Sequence, residues 1–414
     1  MIDLQPFRGL RYDPVVVGDI GRVLAPPYDV IAEDERERLH QSHPHNIIRL
    51  ILGKPQPGDG SADNVYTRAA ATFADWRARG VLRRDDQPGF YLYEQTFALH
   101  RQPIRRLGFI GLLRLDASAE SGVFRHEQTF AGPKTDREQL LQAVRANLSP
   151  IFCLYSDSTT GIYQQLVQWT RRQPPVIDAQ TDQERQRVWQ VSDPGAIEAL
   201  RQAMHAKQIV IADGHHRYEV ALANRHLFPA VMAYFGWLED PAMVVLPIHR
   251  LVQLGRAMPL EEIERRLTRC VEVAAVSDPG TLFRMLESGK NGAGLFGLYA
   301  QGRYRLLRLR CEGVETSLAR HGAPAAWAAL DVALVHYILL PELTDGQPPV
   351  IGYTKDAAEA AAWADGAGDR VAFLLNPVPV RRIQEIALQG HRLPQKSTYF
   401  HPKLLSGVVI NPFD

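Results

Sequence analysis

The sequence predicts a mixed α/β protein, and three observations carry that expectation. Short apolar runs rich in β-branched and aromatic residues (Ile151 to Tyr155, Ile209 to Ala212, Ala230 to Trp237) have the length of buried strands. Between them lie segments whose apolar residues recur at helical spacing, such as Val65, Ala69, Phe73 and Trp76. The 414 residues are 45% hydrophobic and 22% charged, an ordinary globular composition and enough chain for two or three domains.

The elements follow in order. Up to about Leu52 the chain is rich in Pro, Gly and Asp. Within it, the prolines of Ala25-Pro26-Pro27-Tyr28-Asp29-Val30-Ile31 disfavour helix and set an extended turn. After a polar loop from Gly53 to Gly60 comes a helix, with Ser61 as the expected N-cap and Gly80 at C′. Strands are expected at Phe90 to Phe97 and Arg106 to Leu115. Thr135-Asp136-Arg137-Glu138 has a capping-box pattern and opens a helix that turns Leu140, Leu141 and Val144 inward. Strand Ile151 to Tyr155 and helix Gly161 to Arg171 follow, then a polar inserted loop from Pro174 to Arg185. Next come helix Ala196 to His205, strand Gln208 to Ala212, helix Arg217 to His226, and strands Ala230 to Trp237 and Met243 to Leu246.

After about Met258 the texture changes. Helices Leu260 to Leu267 and Gly280 to Leu286 alternate with strands Gly294 to Tyr299 and Arg303 to Leu309, as in a smaller α+β unit. A helix near Asp331 to Leu339, a strand at Arg370 to Leu375 and a helix at Val380 to Leu388 complete the pattern. The expected division is a core with N-terminal elaboration over 1–257, a small α+β insertion over 258–325, and a segment over 326–414 that returns to the core.

Net charge is +1, so no overall field draws the chain to nucleic acid or to a membrane surface. Cys153, Cys270 and Cys311 are far apart and odd in number, which fits reduced thiols rather than a disulfide framework or a thiolate zinc site. The first residues lack the apolar stretch of a signal peptide, and no run approaches the ~18 apolar residues of a membrane span. The expected location is cytoplasmic.

Four constellations carry polar chemistry. In Asp213-Gly214-His215-His216-Arg217, an apolar strand delivers a glycine turn to the start of a helix. There, N–H groups and the helix dipole favour a phosphate, and Arg217 adds a fork. Asp213 suits a Mg²⁺ ligand or proton acceptor, and His215 or His216 a general acid or base. The alternative is that Asp213 only caps the helix and the histidines only fill the turn. The second constellation gathers Arg125, His126, Glu127, Lys134 and Arg137 before a capped helix. The third, Leu393 to Lys403, offers Lys396, Ser397 and Thr398 for phosphate contact. The fourth, around two proline-fixed loops, offers Tyr28, Asp29, Asn46 and Arg49. Each of these three also reads as ordinary loop, docking or turn structure. The sequence has no P-loop, zincin or α/β-hydrolase motif and no G-x-G-x-x-G that follows a strand.

Taken together, Ala25-Pro26-Pro27-Tyr28-Asp29-Val30-Ile31, Arg125-His126-Glu127, Pro133-Lys134-x-Asp136-Arg137, Asp213 to Arg217 and Pro394-Gln395-Lys396-Ser397-Thr398-Tyr399-Phe400 resemble the family called domain of unknown function 1015. The match spans essentially the whole chain. More distantly, the Asp213–Arg217 turn is similar to that of the ParB, sulfiredoxin and free-serine-kinase superfamily, whose small α/β domain sets such a turn under nucleotide phosphates. This implies a ParB/sulfiredoxin-like core within the mixed α/β chain. The catalytic cysteine of sulfiredoxins is replaced by His215, which disfavours sulfinic acid repair, and no DNA-reading helix-turn-helix is evident.

The resulting expectation is a kinase-like phosphotransferase that uses ATP or another nucleotide with Mg²⁺ and acts on a small hydroxylated or amino-acid-like metabolite. Asp213, His215, His216 and Glu127 are the catalytic candidates, with Asp213 also the Mg²⁺ ligand. Gly214, Arg217, Arg125, His126, Lys134, Arg137, Lys396, Ser397 and Thr398 are the nucleotide and phosphate candidates. Tyr28, Asp29, Asn46 and Arg49 are the substrate candidates. A non-catalytic nucleotide-binding switch and a phosphate-ester or nucleotide hydrolase stay open. No membrane partner is expected, nucleic acid is disfavoured, and a homodimer stays open.

Overall fold

Two of the apolar runs pair side by side: Ile151–Tyr155 lies parallel to Ala230–Trp237, with Tyr234 opposite Phe152. Both strands are buried nearly throughout, as continuous apolar strands require. The computed structural model describes residues 1–99, 102–118, 120–127, 131–182, 184–289, 292–310, 313–344 and 347–413. Gln128, Thr129 and Cys311 lie outside the described residues. The chain divides into two units. One comprises Met1–Arg125, Thr129–Met243 and Pro402–Asp414, and the other His126–Gln128 and Val244–His401.

Among the described residues of the first unit, nine strands form a mixed sheet. Its order runs Val123–Arg125, Ile209–Asp213, Ile151–Tyr155, Ala230–Trp237, Gln102–Arg114, Phe90–Leu99, Glu184–Val191, Ile177–Thr181, and Leu4–Gln5 pairs beside Gln102–Arg114. Two of its pairings are parallel and the others antiparallel. Helices Gly161–Thr170, Pro194–His205 and His215–Ala223 cover one face, where Leu166, Leu200, Met204 and Tyr218 pack on Ile151, Cys153, Ile211 and Phe235. The segment Pro402–Asp414 is woven into the same unit. It forms bridges Ala25↔Ser406 and Leu10↔Ile410, the pairing Asn411↔Asn147, and a fully buried Val408, Val409 and Ile410.

The second unit holds a six-stranded antiparallel sheet ordered Val271–Val276, Arg303–Leu309, Leu295–Ala300, Arg370–Leu374, His249–Gln253, Val350–Thr354. Its core joins Leu251, Leu295 and Leu374 to Leu282 and Leu286 of helix Pro279–Ser288 and to Ala360 of helix Ala357–Asp365. A π-helical turn, Val335–Leu339, follows helix Asp331–Leu334.

Several local expectations need correction. The N-cap of helix Val65–Ala78 is Asn64, not Ser61, because Asn64 and Thr67 close a reciprocal capping box. Helix Ala131–Val144 begins before Thr135, since Pro133 sits in the first turn, where its missing N–H costs nothing. The expected loop from Pro174 to Arg185 contains strand Ile177–Thr181, hairpin-paired to Glu184–Val191. It is an edge strand with one exposed face, so its apolar content is low. Helix His215–Ala223 starts two residues before the expected Arg217, which puts both histidines in its first turn. Strands His249–Gln253 and Val350–Thr354 and helix Ala357–Asp365 were not anticipated. Among the described residues, no helix is long and apolar enough to cross a membrane.

Two stability measurements follow from this packing. Ile410→Ala removes a fully buried side chain where the last segment meets Leu10, and should cost roughly 2–5 kcal/mol in urea unfolding. In the second unit, burial pushes the Asp331 carboxyl up to about 7, although the Gly294 N–H donates to it and pulls the other way. The folded chain therefore holds this proton where the unfolded chain has lost it. Stability should fall as pH rises from about 4 to 7, by up to roughly 4 kcal/mol, and Asp331→Asn should flatten the profile.

Candidate functional site

Asp213 sits between two backbone irregularities. The register of Ile209–Asp213 against Ile151–Tyr155 shifts between Ile211 and Asp213, a bulge that re-aims the last side chain. Gly214 then takes φ +87°, the left-handed conformation that favours glycine, and starts helix His215–Ala223. A Cβ at Gly214 would come within 2.9 Å of Arg217 Nη2 and 3.1 Å of Ile151 Cγ2. Helical geometry leaves the first N–H groups of such a helix without intrahelical acceptors, and Gly214 has no side chain to cover them. His215 is buried and His216 half-buried.

Two cations converge on Asp213. Arg217 Nη2 donates to Oδ2 at 3.1 Å, and Lys403 Nζ donates to Oδ1. All three side chains are only 11–15% exposed, so their attraction is screened far less than that of a surface pair. The other arm of Arg217 donates to Ser149 Oγ at 3.2 Å and to the Pro150 carbonyl at 2.6 Å. Arg217 also lines a cavity of about 60 Å³ with Arg137, Ser149, Leu140, Ile151 and Val220.

The basic loop reaches the same helix through Glu219. Arg125 Nη1 donates to Glu219 Oε1 at 3.1 Å, and Lys134 Nζ to Oε2 at 3.2 Å. Strand Val123–Arg125 positions Arg125 by pairing it in register with Ile211. Arg137 is buried, pairs with Asp136 and donates to the Ile51 carbonyl at 3.0 Å. Its guanidinium lies 3.9 Å from the centre of the Tyr28 ring. Burial, aided by Asp29, pushes the Tyr28 hydroxyl up to about 12, while Arg137 and Arg217 pull it back. Tyr28, Arg137 and Arg217 thus share one electrostatic neighbourhood.

The remaining candidates have other partners. Asn46 spends its amide on the Arg22 and Leu24 carbonyls and its oxygen on the Ile48 N–H, and Arg49 donates to the His40 carbonyl. Asn46 precedes and Arg49 lies within the short helix Ile48–Ile51, and Asp29 is exposed. His126, Glu127, Lys396, Ser397 and Thr398 belong to the second unit. There His126 Nε2 lies 3.0 Å from Thr398 Oγ1, Glu127 Oε1 accepts from the Lys396 N–H at 2.7 Å, and Ser397 Oγ donates to the Pro394 carbonyl.

Sequence reasoning missed Lys403 and Glu219. Lys403 stands 190 residues from Asp213, beyond any spacing pattern. Glu219 sits at helical spacing from His215 and reads as a solvated face. Asp213 fits poorly as a Mg²⁺ ligand, because each of its oxygens already holds a cation. Among the described residues no group of three His, Cys, Asp or Glu side chains is placed to hold a metal ion.

Strand, bulge, left-handed glycine and helix start define a mixed α/β protein with a cation-lined junction at the end of a strand one in from the sheet edge. The chain belongs to the family described as a protein of unknown function, domain 1015, whose model matches residues 4–333. No functionally curated protein matches it. Solved structures with partial similarity include C-terminally truncated SbnI from Staphylococcus aureus, at 10% identity over 73% of this chain and 87% of that one, with a TM-score of 0.37. A free serine kinase variant in complex with ADP gives 13% over 67% and 84%, with a TM-score of 0.34. A conserved hypothetical protein from Pyrococcus furiosus gives 12% over 68% and 89%, also at 0.34.

The glycine is the most exposed point of this construction to substitution. Gly214→Ala adds both backbone strain and the contact with Arg217, and should destabilise the chain by about 1–3 kcal/mol in denaturant unfolding.

Proposed function

We propose that the junction at Gly214 binds the phosphate groups of a nucleotide, and that the chain transfers a phosphoryl group to a small hydroxylated or amino-acid-like metabolite. The observation that carries this reading is the convergence of Arg217 and Lys403 on one carboxylate at the start of helix His215–Ala223. Phosphate oxygens compete well for both cations and for helix-start N–H groups. The resemblance of the Asp213–Arg217 turn to the ParB, sulfiredoxin and free-serine-kinase superfamily points the same way.

Asp213 acts here as the positioning residue that holds Arg217 and Lys403 before phosphate arrives. Charge neutralisation by preorganised cations is the main work a protein does in phosphoryl transfer. His216, half-buried in the first turn, is the candidate base for the acceptor hydroxyl. The acceptor oxygen would bond to the terminal phosphorus, its proton would pass to the base, and the bridging P–O bond would break to release the shorter nucleotide. No step runs through Mg²⁺ held by Asp213.

The same ion triad favours a second reading, a non-catalytic nucleotide switch. Lys403 lies in the segment Pro402–Asp414, so a phosphate that draws it from Asp213 changes how that segment is held.

The test is binding followed by turnover. Titration of the full chain with ATP, ADP, AMP and CTP should show saturable binding, and Arg217→Gln should weaken it at least tenfold, about 1.4 kcal/mol. Incubation with ATP or ADP and pooled amino acids and polyols should then yield a phosphorylated product by mass spectrometry, lost in His216→Ala. Binding without product under any donor selects the switch. No binding by any nucleotide sinks both.

A further inference from the structure

The second unit holds a buried cation with no counter-ion among the described residues. Arg250, the second residue of strand His249–Gln253, is fully buried, yet among the described residues it makes no ion pair. Its Nε donates to His336 Nε2 at 3.0 Å and its Nη1 to the Ile248 carbonyl. Its Nη2 has no hydrogen-bond partner among the described residues. The guanidinium lies 5.2 Å from the ring centre of Tyr353, its cross-strand neighbour on edge strand Val350–Thr354. Tyr353 is 40% exposed, so one aromatic ring stands between this cation and the outside of the sheet.

Leaving a buried guanidinium without an anion costs several kcal/mol, and folds tolerate such a group mainly where something else supplies the missing charge. The neighbours do not supply it. His336 accepts from Arg250 through Nε2, and burial together with Arg250 pushes it down to about 4, so it is neutral. Burial pulls Arg250 itself down to about 10, with Tyr353 and Glu127 opposing at a distance. His336 sits on the π-helical turn Val335–Leu339, a distortion that recurs at functional sites.

We propose that Arg250 Nη2 receives an oxyanion, a carboxylate or phosphate group of a small molecule, seated beneath Tyr353. A planar fork with one arm tied to a carbonyl and Nε tied to a neutral histidine leaves its other arm fixed in direction for one oxygen of such a group. No residue of this site belongs to the Gly214 junction, so failure here leaves the phosphate reading of that junction intact.

The experiment is thermal unfolding of the full chain in chloride, acetate or inorganic phosphate at equal ionic strength and pH. Acetate or phosphate at about ten times its dissociation constant should raise Tm by roughly 3 °C over chloride. Arg250→Met should abolish that rise without lowering Tm in chloride, because an apolar side chain of similar length replaces an uncompensated charge. An Arg250-dependent response to acetate assigns a carboxylate, and one to phosphate alone assigns a phosphate. A phosphate response that survives Arg250→Met but disappears in Arg217→Gln belongs to the other unit and counts against the proposal. If Arg250→Met does not fold, Tyr353→Ala at the half-exposed cover should weaken the response at least threefold. No response to either anion, or an unchanged one in Tyr353→Ala, overturns the proposal.

Discussion

The first unit depends on one carboxylate held by two cations that arrive from different directions. Asp213 ends a buried strand, Arg217 comes from one helical turn further on, and Lys403 comes from a segment far along the chain. Taking three charges largely out of water is costly, and it is tolerated only when the geometry is good and the remaining donors are satisfied. Arg217 meets that condition through Ser149 and Pro150, and the bulge and left-handed Gly214 aim Asp213 to receive both partners. Backbone and charges are therefore mutually dependent at this junction.

Two of the arginines, the half-buried Arg217 and the fully buried Arg250, make an instructive pair. Arg217 has its charge balanced inside the protein, whereas Arg250 shares its hydrogen bonds with a neutral histidine and a carbonyl. A balanced cation must exchange partners to bind an anion, which makes binding a conformational event. An unbalanced one gains an anion without losing anything, which favours affinity. The chain carries both arrangements, one in each unit.

Much of this was readable beforehand where physics is local. Arg303–Leu309 appears with the expected bounds, as do Ile151–Tyr155, Ala230–Trp237, Leu260–Leu267 and Val380–Leu388, where burial on both faces or a strong apolar stripe leaves little choice. The edge strand Ile177–Thr181 has too few apolar residues to stand out, and in Val350–Thr354 the run is short and Gly352 interrupts it. The turn at Gly214 was visible as a motif, and so were Arg217, Arg125 and Lys134 as its basic company. Lys403 and Glu219 were not, since pairing across 190 residues, or within an ordinary-looking charged helix, leaves no periodic trace. Arg250 reads in sequence like any strand-flanking surface charge, and only its burial distinguishes it.

The interrupted path of the first unit has a consequence for its birth. Residues 402–413 leave the ribosome only after the entire second unit has been made, and they bring Lys403, Val408, Val409 and Ile410 to strands and loops laid down long before. Until then the nascent first unit exposes the apolar surface those residues will cover and holds Asp213 against a single cation. The delay creates a window in which chaperones have a substrate, and it makes the first unit sensitive to loss of residues 402–413.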